Sequence, residues 1–219
     1  MRILQGTKAV EAPPGWRDAI ERDGRPVVID LGAGEGRYAY ESARRDPSRL
    51  YIGVDPNADA LSEYAFRAAR KPARGGVGNV SFIVAAVEQL PLELRGLAQL
   101  VRVNFPWGSL LRALLEPDVA ILHRVAALAA PGGRFEVVFS YNPEHDTGAF
   151  AGDPLPALDE ARISNVLAPA YHGAGLDLTE QRRLTQDQAL EIPSTWGRRL
   201  LHARPREVYF VAGSVSQRL

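Results

Sequence analysis

VVIDLGAGEG, residues 27–36, is an apolar run that ends in an aspartate and a glycine-rich turn. The apolar part predicts a buried strand over 27–30, and residues 37–45 predict the helix that follows. The glycines allow a ligand to approach the backbone closely at the start of that helix. A dinucleotide fingerprint would need glycine or alanine at position 37, where this chain has Arg37. The turn therefore predicts a ligand site, but not one for NAD.

The alternation of strand and helix continues along the chain. Further strands are predicted over 50–54, 80–84, 97–103, 134–139, 176–183 and 207–212, and further helices over 58–70, 110–115 and 118–128. Strands that alternate with helices favour an α/β fold, here a mostly parallel, seven-stranded sheet with helices on both faces. Ligands of such doubly wound sheets bind beyond the carboxyl ends of the strands.

Three segments depart from this alternation within what we expect to be one domain, residues 1–219. Residues 1–15 are an N-terminal extension, in which 1–12 resemble a small hairpin laid over the domain. The segments 143–161 and 185–206 interrupt the pattern as inserts. Long connections inside a compact domain are usually functional, so we expect both inserts to contribute to function.

Composition excludes several classes of function. The 219 residues are 46% hydrophobic and 24% charged with a net charge of zero, which excludes a polybasic tail but not a local basic patch. The absence of cysteine excludes disulfides, cysteine-based zinc sites and cysteine nucleophiles. We expect no metal site. The sequence has no apolar run of roughly 18 residues and no signal-peptide pattern, so we expect a cytoplasmic monomer that binds no membrane.

Acidic residues follow each of the first three predicted strands. Asp30 stands two residues before the first turn glycine, a position that suits the ammonium group of a ligand. Asp55 ends the second strand, where it can accept hydrogen bonds from both hydroxyls of a ribose. Glu88 follows the third strand and can lie near an adenine. This order of an acid, a glycine-rich turn and two further acids is typical of a site for S-adenosylmethionine.

The segment after the fourth strand, residues 104–109, reads NFPWGS. Doubly wound methyltransferases place the methyl acceptor at this point. Pro106 restricts the backbone and Trp107 presents a flat ring, which favours stacking on the substrate over a role as a core tryptophan. Methyltransferases that act on exocyclic amines usually show two prolines in this motif, and this chain has one. The motif therefore favours a ring nitrogen as the acceptor.

Two basic segments have both a structural and a functional interpretation. The first comprises Trp196 with Arg199, Arg204 and Arg206 behind it. The second comprises Arg67, Arg70, Lys71 and Arg74. A tryptophan can stack on a base while arginines hold phosphates, but it can equally pack under a loop among solvated arginines. The second segment ends a helix, where cations are favoured in any case. Both segments on one face would favour RNA binding.

Taken together, these motifs resemble those of the aminoglycoside-resistance 16S rRNA methyltransferases of the kanamycin–apramycin type, which methylate N1 of adenine 1408. The resemblance covers nearly the whole chain. It is carried by DLGAGEG at 30–36, KPARGG at 71–76, PWGSLLR at 106–112 and STWGRRL at 194–200. The second and third segments are quite specific to that family. The resemblance implies a Rossmann-like, class I S-adenosylmethionine-dependent methyltransferase.

The resemblance also implies site residues. The cofactor pocket for S-adenosylmethionine would be lined by Asp30, Gly32, Gly34, Tyr38, Asp55, Val87, Glu88, Asn104, Phe105, Pro106, Ser109, Ser194 and Thr195. Trp107 and Trp196 would stack on the two faces of a flipped adenine. Contacts to 16S rRNA in the assembled 30S subunit would come from Arg67, Arg70, Lys71, Arg74, Arg199, Arg204 and Arg206. The chain departs from some relatives at Asn104, Phe105 and Thr195, which bears on activity rather than on stacking.

The implied chemistry agrees with the residues, because N1 of adenine is neutral at pH 7 and needs no general base. Catalysis would then be mainly positioning. Three alternatives stay open. A tRNA (guanine-N7)-methyltransferase has a similar Asn-Phe-Pro element, usually with a further acid and a second proline. A small-molecule methyltransferase would need an apolar lid, and a non-catalytic rRNA-binding factor would not need Asp30 and Asp55.

Overall fold

Nine strands pair into a single sheet within residues 1–146, 154–204 and 206–216, the parts of the chain that the computed structural model describes. The strands are β1 (Arg2–Gln5), β2 (Lys8–Glu11), β3 (Val27–Leu31), β4 (Leu50–Asp55), β5 (Val80–Val84), β6 (Ala98–Asn104), β7 (Ala129–Phe139), β8 (Leu176–Leu184) and β9 (Val208–Val215). Their order across the sheet is β2-β1-β5-β4-β3-β6-β7-β9-β8. The five central strands run parallel, and the strands at both edges run antiparallel.

Helices connect the strands. They are α1 (Trp16–Asp23), α2 (Arg37–Arg45), α3 (Ala58–Ala68), α4 (Gly108–Leu115), α5 (Val119–Leu128), α6 (Pro143–Asp146), α7 (Glu160–Arg162), α8 (Ala168–Gly173), α9 (Gln186–Leu190) and α10 (Thr195–Ala203). A π-helical segment, Ile163–Leu167, joins α7 to α8. Short 3-10 turns occur at Pro72–Arg74, Val87–Gln89 and Leu92–Leu94. In the described part of the chain, no helix is both long and apolar enough to cross a bilayer.

The predicted α/β fold with helices on both faces of a mostly parallel sheet is confirmed, but the sheet is larger than predicted. The N-terminal hairpin does not lie over the domain. Its first strand pairs antiparallel with β5 through Ile3 and Ile83, and so the hairpin extends the sheet from seven strands to nine. The hairpin pairs with β5 because Ile3 is then buried against the core and because the edge of β5 would otherwise stay unpaired.

Alternating side chains divide the sheet into two faces. The back face carries Ile29 of β3 and Val101 of β6, and packs a continuous apolar cluster against α4, α5 and α8. The front face carries two separate clusters. One packs Val28 and Phe82 against α2 and α3, and the other packs Val138 and Phe210 against α9 and α10. Between these two apolar clusters, the middle of the front face forms a polar strip.

Several predicted boundaries moved for local reasons. The helix predicted over 58–70 ends at Ala68, shortly before Pro72, which restricts the residue before it. The helix predicted from 118 begins at Val119, because the Asp118 side chain is the N-cap and accepts from the backbone N–H groups of Ala120 and Ile121. The strand predicted from 134 begins at Ala129, and its register with β6 shifts between Ala98 and Leu100, which marks a bulge.

The two segments predicted as inserts both contain helices. Residues 185–206 are largely helical, since Thr185 and Ser194 cap α9 and α10 with their side chains. In 143–161, residues 143–146 are the short helix α6 and 147–153 lie outside the described residues. The helical stretch 160–173 was missed by the sequence analysis. Its signal is the four-residue spacing of the buried Ile163, Leu167 and Tyr171.

Candidate active site

The carboxyl ends of β3, β4, β5 and β6 surround a cavity of about 480 Å³. The residues after each strand form its walls, and the first turn of α10 closes one side. All thirteen residues predicted for the cofactor pocket line this cavity, from Asp30 in β3 to Thr195 in α10. Trp107, Trp196 and Arg199 line it as well. The cavity therefore lies where doubly wound sheets bind their ligands.

The glycine-rich turn forms the floor of the cavity and is fixed by its own hydrogen bonds. The N–H groups of Gly32 and Ala33 donate to the carbonyl of Val54, at 2.9 and 3.0 Å. Gly36 has a φ of 81°, and a Cβ added there would lie 2.4 Å from the Phe82 ring. Glycine at position 36 is thus required by both the backbone conformation and the close ring. Together these contacts hold backbone N–H groups at the N-terminus of α2 beside the cavity.

Asp55 joins the end of β4 to the glycine turn. Its Oδ2 accepts from the N–H of Gly34 at 2.8 Å, and its Oδ1 accepts from the N–H of Asn57 at 2.9 Å. Partial burial raises the pKa of the Asp55 carboxyl, and the two backbone hydrogen bonds oppose that rise. Because each carboxylate oxygen can accept more than one bond, Asp55 can still accept from a pair of ligand hydroxyls.

Asp30 is the buried acid of the site, with a side chain only 2% exposed. Its Oδ1 accepts from Nδ2 of Asn104 at 3.1 Å. Its Oδ2 is buried and has no hydrogen-bond partner among the described residues. Burial raises the pKa of Asp30 to about 7, against the lowering effects of Asn104 and Arg102. A buried acceptor in need of a partner at the cavity wall fits the ammonium end of an amino-acid ligand.

Trp107 and Trp196 meet at the cavity, although they are 89 positions apart in the sequence. Their ring centroids lie 4.9 Å apart and their planes are inclined by 71°, an edge-to-face contact. Two parallel platforms with a gap for a base are therefore not formed in this arrangement. Trp196 is 37% exposed and stands on the first turn of α10.

Phe105 connects the two tryptophan-bearing segments. It has a φ of 51°, the sole positive value of a non-glycine residue within the described part of the chain. Its N–H donates to the carbonyl of Val138 at 2.8 Å, and its buried ring lies against Gly197 of α10. Such backbone strain persists only where surrounding packing imposes it. The Phe105–Gly197 contact thus fixes the loop of Trp107 relative to the helix of Trp196.

The basic residues predicted to contact RNA lie in different settings. The exposed ones are Arg70, Lys71, Arg74, Arg199 and Arg204. Arg67 is partly buried, forms an ion pair with Glu63 and lies over the Tyr64 ring at 4.9 Å from its centroid. Arg206 differs from the prediction. Its side chain is 6% exposed and donates through Nη2 to Asp146 at 2.8 Å, so a phosphate can reach it only if this pair opens.

Glu35 and Arg37 also line the cavity, and Arg102 lies behind Asn104; none of these three residues was predicted from the sequence. Glu35 and Arg37 could have been predicted as lining residues, because they lie beside the glycine turn in the sequence. Arg102 also had a signal, because it is the charged residue of strand β6 and stands two positions before Asn104, hence on the same face.

Comparisons with known proteins agree with this geometry. The family model NpmA, 16S rRNA (adenine(1408)-N(1))-methyltransferase, matches residues 2–215. A 16S rRNA (adenine(1408)-N(1))-methyltransferase of Escherichia coli is 34% identical over 99% of this chain and 100% of its own length. Some tRNA (guanine-N(7)-)-methyltransferases also match, such as one from Anaeromyxobacter dehalogenans at 26% identity over 86% of the chain.

Two solved structures show the same fold. The aminoglycoside resistance methyltransferase NpmB1 is 35% identical and superimposes with a TM-score of 0.84, covering 98% of this chain and 99% of its own. A mutant 16S rRNA (adenine(1408)-N(1))-methyltransferase from Catenulisporales acidiphilia, solved with its cosubstrate SAM, is 29% identical. It has a TM-score of 0.88, covering 100% of this chain and 99% of its own. The fold is therefore that of S-adenosylmethionine-dependent methyltransferases.

Gly197→Ala tests the contact that joins the two tryptophan segments. A Cβ at position 197 would lie 2.4 Å from the Phe105 ring, so α10 or Phe105 must shift. We expect the free energy of unfolding to fall by about 1–3 kcal/mol, as for other overpacked sites. Urea denaturation measures it. Gly173→Ala, where the added Cβ meets nothing within 4 Å, is the matched control and should be near neutral. Equal stability of the two variants would show that Phe105 does not depend on Gly197.

Proposed function

Because the chain belongs to the family of 16S rRNA (adenine(1408)-N(1))-methyltransferases, we propose that it methylates N1 of adenine 1408 in 16S rRNA, with S-adenosylmethionine as the methyl donor. The observation that carries the proposal is that one cavity holds both the Trp107–Trp196 pair and Oδ2 of Asp30, which has no hydrogen-bond partner among the described residues. Oδ2 of Asp30 suits the ammonium group of a ligand, and the tryptophan pair suits a flat base. A site with both features fits a cofactor beside a nucleobase.

S-adenosylmethionine supplies an electrophilic methyl group on a sulfonium. Among the residues of this chain, Asp30 would accept from the amino group of the bound cofactor and Asp55 from its ribose hydroxyls. Asp55 is already fixed by two backbone hydrogen bonds, so it binds a ligand without further loss of side-chain entropy. Glu88, exposed at the rim, would lie on the adenine side.

The protein's contribution to the reaction is mainly positioning. N1 of adenine carries a lone pair and no proton at neutral pH, so no group has to remove a proton before or after methyl transfer. Holding N1 in line with the methyl group can then supply much of the rate acceleration. The methylated base is a cation, and the electron-rich faces of Trp107 and Trp196 favour a cation over a neutral ring.

The base must leave its helical stack to reach the cavity, at a cost of a few kcal/mol. Stacking on an aromatic side chain returns roughly 1–3 kcal/mol for each platform. Stacking on two indole rings would therefore approximately offset the free-energy cost of unstacking the base. Since the indoles now contact each other edge to face, outward rotation of Trp196 would accompany entry of the base.

The substrate would be the assembled 30S subunit, which the enzyme would meet as a cytoplasmic monomer. Arg70, Lys71 and Arg74 form an exposed basic segment after α3 that suits a folded RNA backbone. Methylation at the decoding site would confer resistance to kanamycin and apramycin. The insert 185–206 would contribute, because it supplies the first turn of α10 to the cavity, whereas a contribution of 143–161 stays a prediction.

Primer extension on 16S rRNA tests the proposed reaction. N1 methylation blocks Watson–Crick pairing, so 30S subunits treated with enzyme and cofactor should stop reverse transcriptase next to adenine 1408. Subunits treated without cofactor are the control. Labelled methyl groups should enter 30S subunits but not tRNA or a metabolite extract. Incorporation into tRNA alone would replace this proposal with that of a tRNA guanine-N7 methyltransferase.

Trp196→Ala tests the second stacking platform. Loss of one platform should remove about 1–3 kcal/mol of stacking and slow methylation of 30S subunits roughly 5- to 150-fold. Trp196→Phe should lose less, because a smaller ring still stacks. Trp16→Phe on α1, outside the cavity lining, is the matched control. Cofactor affinity and the melting temperature should barely change, since Trp196 is 37% exposed. Full activity of a folded Trp196→Ala protein would exclude Trp196 from the site.

Replacement of Arg70, Lys71 and Arg74 by alanine tests the basic segment. If each contacts a phosphate, the slope of log affinity for 30S subunits against log salt should fall by about 2–3, with cofactor affinity unchanged. A control of equal charge replaces Arg22, Arg124 and Arg134, three exposed arginines on other elements. Equal salt dependence of the two triple variants would reduce the segment to a solvated helix end.

A further inference from the structure

Three charged residues form a row across the middle of the front face. Asp30 of β3 is the register partner of Arg102 of β6, and Arg102 is the register partner of Glu136 of β7. Partners on adjacent strands point to the same face and lie about 4.8 Å apart along the row. The row is acid, base, acid, and it occupies the polar strip between the two apolar front clusters. Arg102, which lies outside the cavity, is thus the direct neighbour of Asp30, the buried acid that lines it.

Arg102 is held in this row from three sides. Its Nη1 donates to Oε2 of Glu136 at 2.8 Å, and its Nε donates to Oδ1 of Asn104 at 3.0 Å. The Tyr38 ring covers the guanidinium, 5.0 Å from ring centroid to Cζ. Both charged side chains of the pair are largely shielded, with 19% of Arg102 and 17% of Glu136 exposed. The geometry of the guanidinium is therefore fixed.

The contact with Arg102 decides which way the Asn104 carboxamide faces. Arginine is a donor only, so the oxygen of Asn104 must point at it. The NH₂ group of Asn104 then points the other way, where it donates to Oδ1 of Asp30 at 3.1 Å. With Oδ1 held in this way, Oδ2 of Asp30 is the oxygen left for a ligand. Without Arg102, the carboxamide could turn and present its oxygen to the carboxylate.

We propose that Arg102 is a positioning residue for the cofactor site, which orients Asn104 and supplies the positive charge that keeps Asp30 an anionic acceptor for the ammonium of the cofactor. The proposal rests on the proposed function, since it requires that ammonium at Asp30. With the ligand bound, charges along the row would alternate as Glu136, Arg102, Asp30 and ammonium. Each charge then has an opposite charge beside it.

The electrostatics of Asp30 support this role. The pKa of Asp30 is raised to about 7, mainly because the carboxyl is buried; Asn104 and Arg102 lower it, and the charge of Asp55 adds to the rise, within that net value. Tyr38, which also faces Asp30, is neutral at pH 7, because burial raises the pKa of its phenol. Loss of Arg102 should raise the pKa of Asp30. Since the ammonium needs the ionised carboxylate, binding should then weaken most at low pH and recover as pH rises.

Calorimetry of Arg102→Met with S-adenosylhomocysteine tests the proposal, because this ligand has the same amino-acid end and cannot react. The measurement uses the full chain between pH 6 and pH 9. The ratio of parent to variant affinity cancels the titration of the ligand itself. We expect a ratio of at least about fivefold at pH 6 that approaches one at pH 9, since each unit of pKa difference changes the ionised fraction up to tenfold.

Three further variants separate charge from structural damage. Arg102→Lys retains the charge and should restore most of the affinity at pH 6. Glu136→Gln breaks the ion pair but leaves the positive charge, so it should bind at least as tightly as the parent. Arg134→Met makes the same change two positions before Glu136 on β7, at an exposed site on the same face, and should have no effect. Melting curves confirm that each variant is folded.

Two outcomes would overturn the role of Arg102. Parent-like affinity of Arg102→Met at every pH would show that Asp30 does not depend on it. A loss that is equal at all pH values, or is shared by Glu136→Gln, would reduce Arg102 to a structural ion pair. A parent protein that binds no S-adenosylhomocysteine would instead contradict the proposed function, and this result is separate because it concerns the parent alone.

Discussion

A carboxylate buried at the carboxyl end of a central strand is the constraint on which the site depends. Asp30 is 2% exposed and has one oxygen without a partner among the described residues. Burial of an ionised carboxylate is costly unless opposite charge and hydrogen bonds compensate it. Asn104 and Arg102 supply part of this compensation from β6. The remainder is left open on the cavity side, which makes a cationic ligand group the natural complement of the fold.

The fold was largely predictable from the sequence, because its determinants are local. The strand 80–84 and the helix 37–45 were predicted with the bounds that the structure has. Both have an apolar pattern with a clear stop. The attachment of the hairpin to β5 was not predictable, since it depends on a single register pair between residues 80 positions apart. The helical stretch 160–173 keeps a four-residue spacing of buried side chains, but its π-helical segment and Pro169 are both unusual inside a helix, and it was missed.

The residues that line the candidate site were predictable from the sequence, but the relative orientation of their side chains was not. The predicted lining from Asp30 to Thr195 surrounds one cavity, because parallel strands bring their carboxyl ends together. The tilt between Trp107 and Trp196 depends on how Phe105 packs on Gly197, a contact between distant segments that no local pattern encodes. The pairing of Arg206 with Asp146 is of the same kind. Exposure of an arginine cannot be inferred from the number of neighbouring arginines.

The strand order at one edge of the sheet also determines when the cavity is completed during synthesis. β9 is the last strand in the chain, yet it lies between β7 and β8. The sheet therefore closes only after β9 has been made, and α10, which forms one cavity wall, packs against that same strand. Such non-local pairing forms late, because the chain must first be brought together. A nascent chain whose β9 is not yet free to pair therefore has neither a complete sheet nor the strand on which α10 packs.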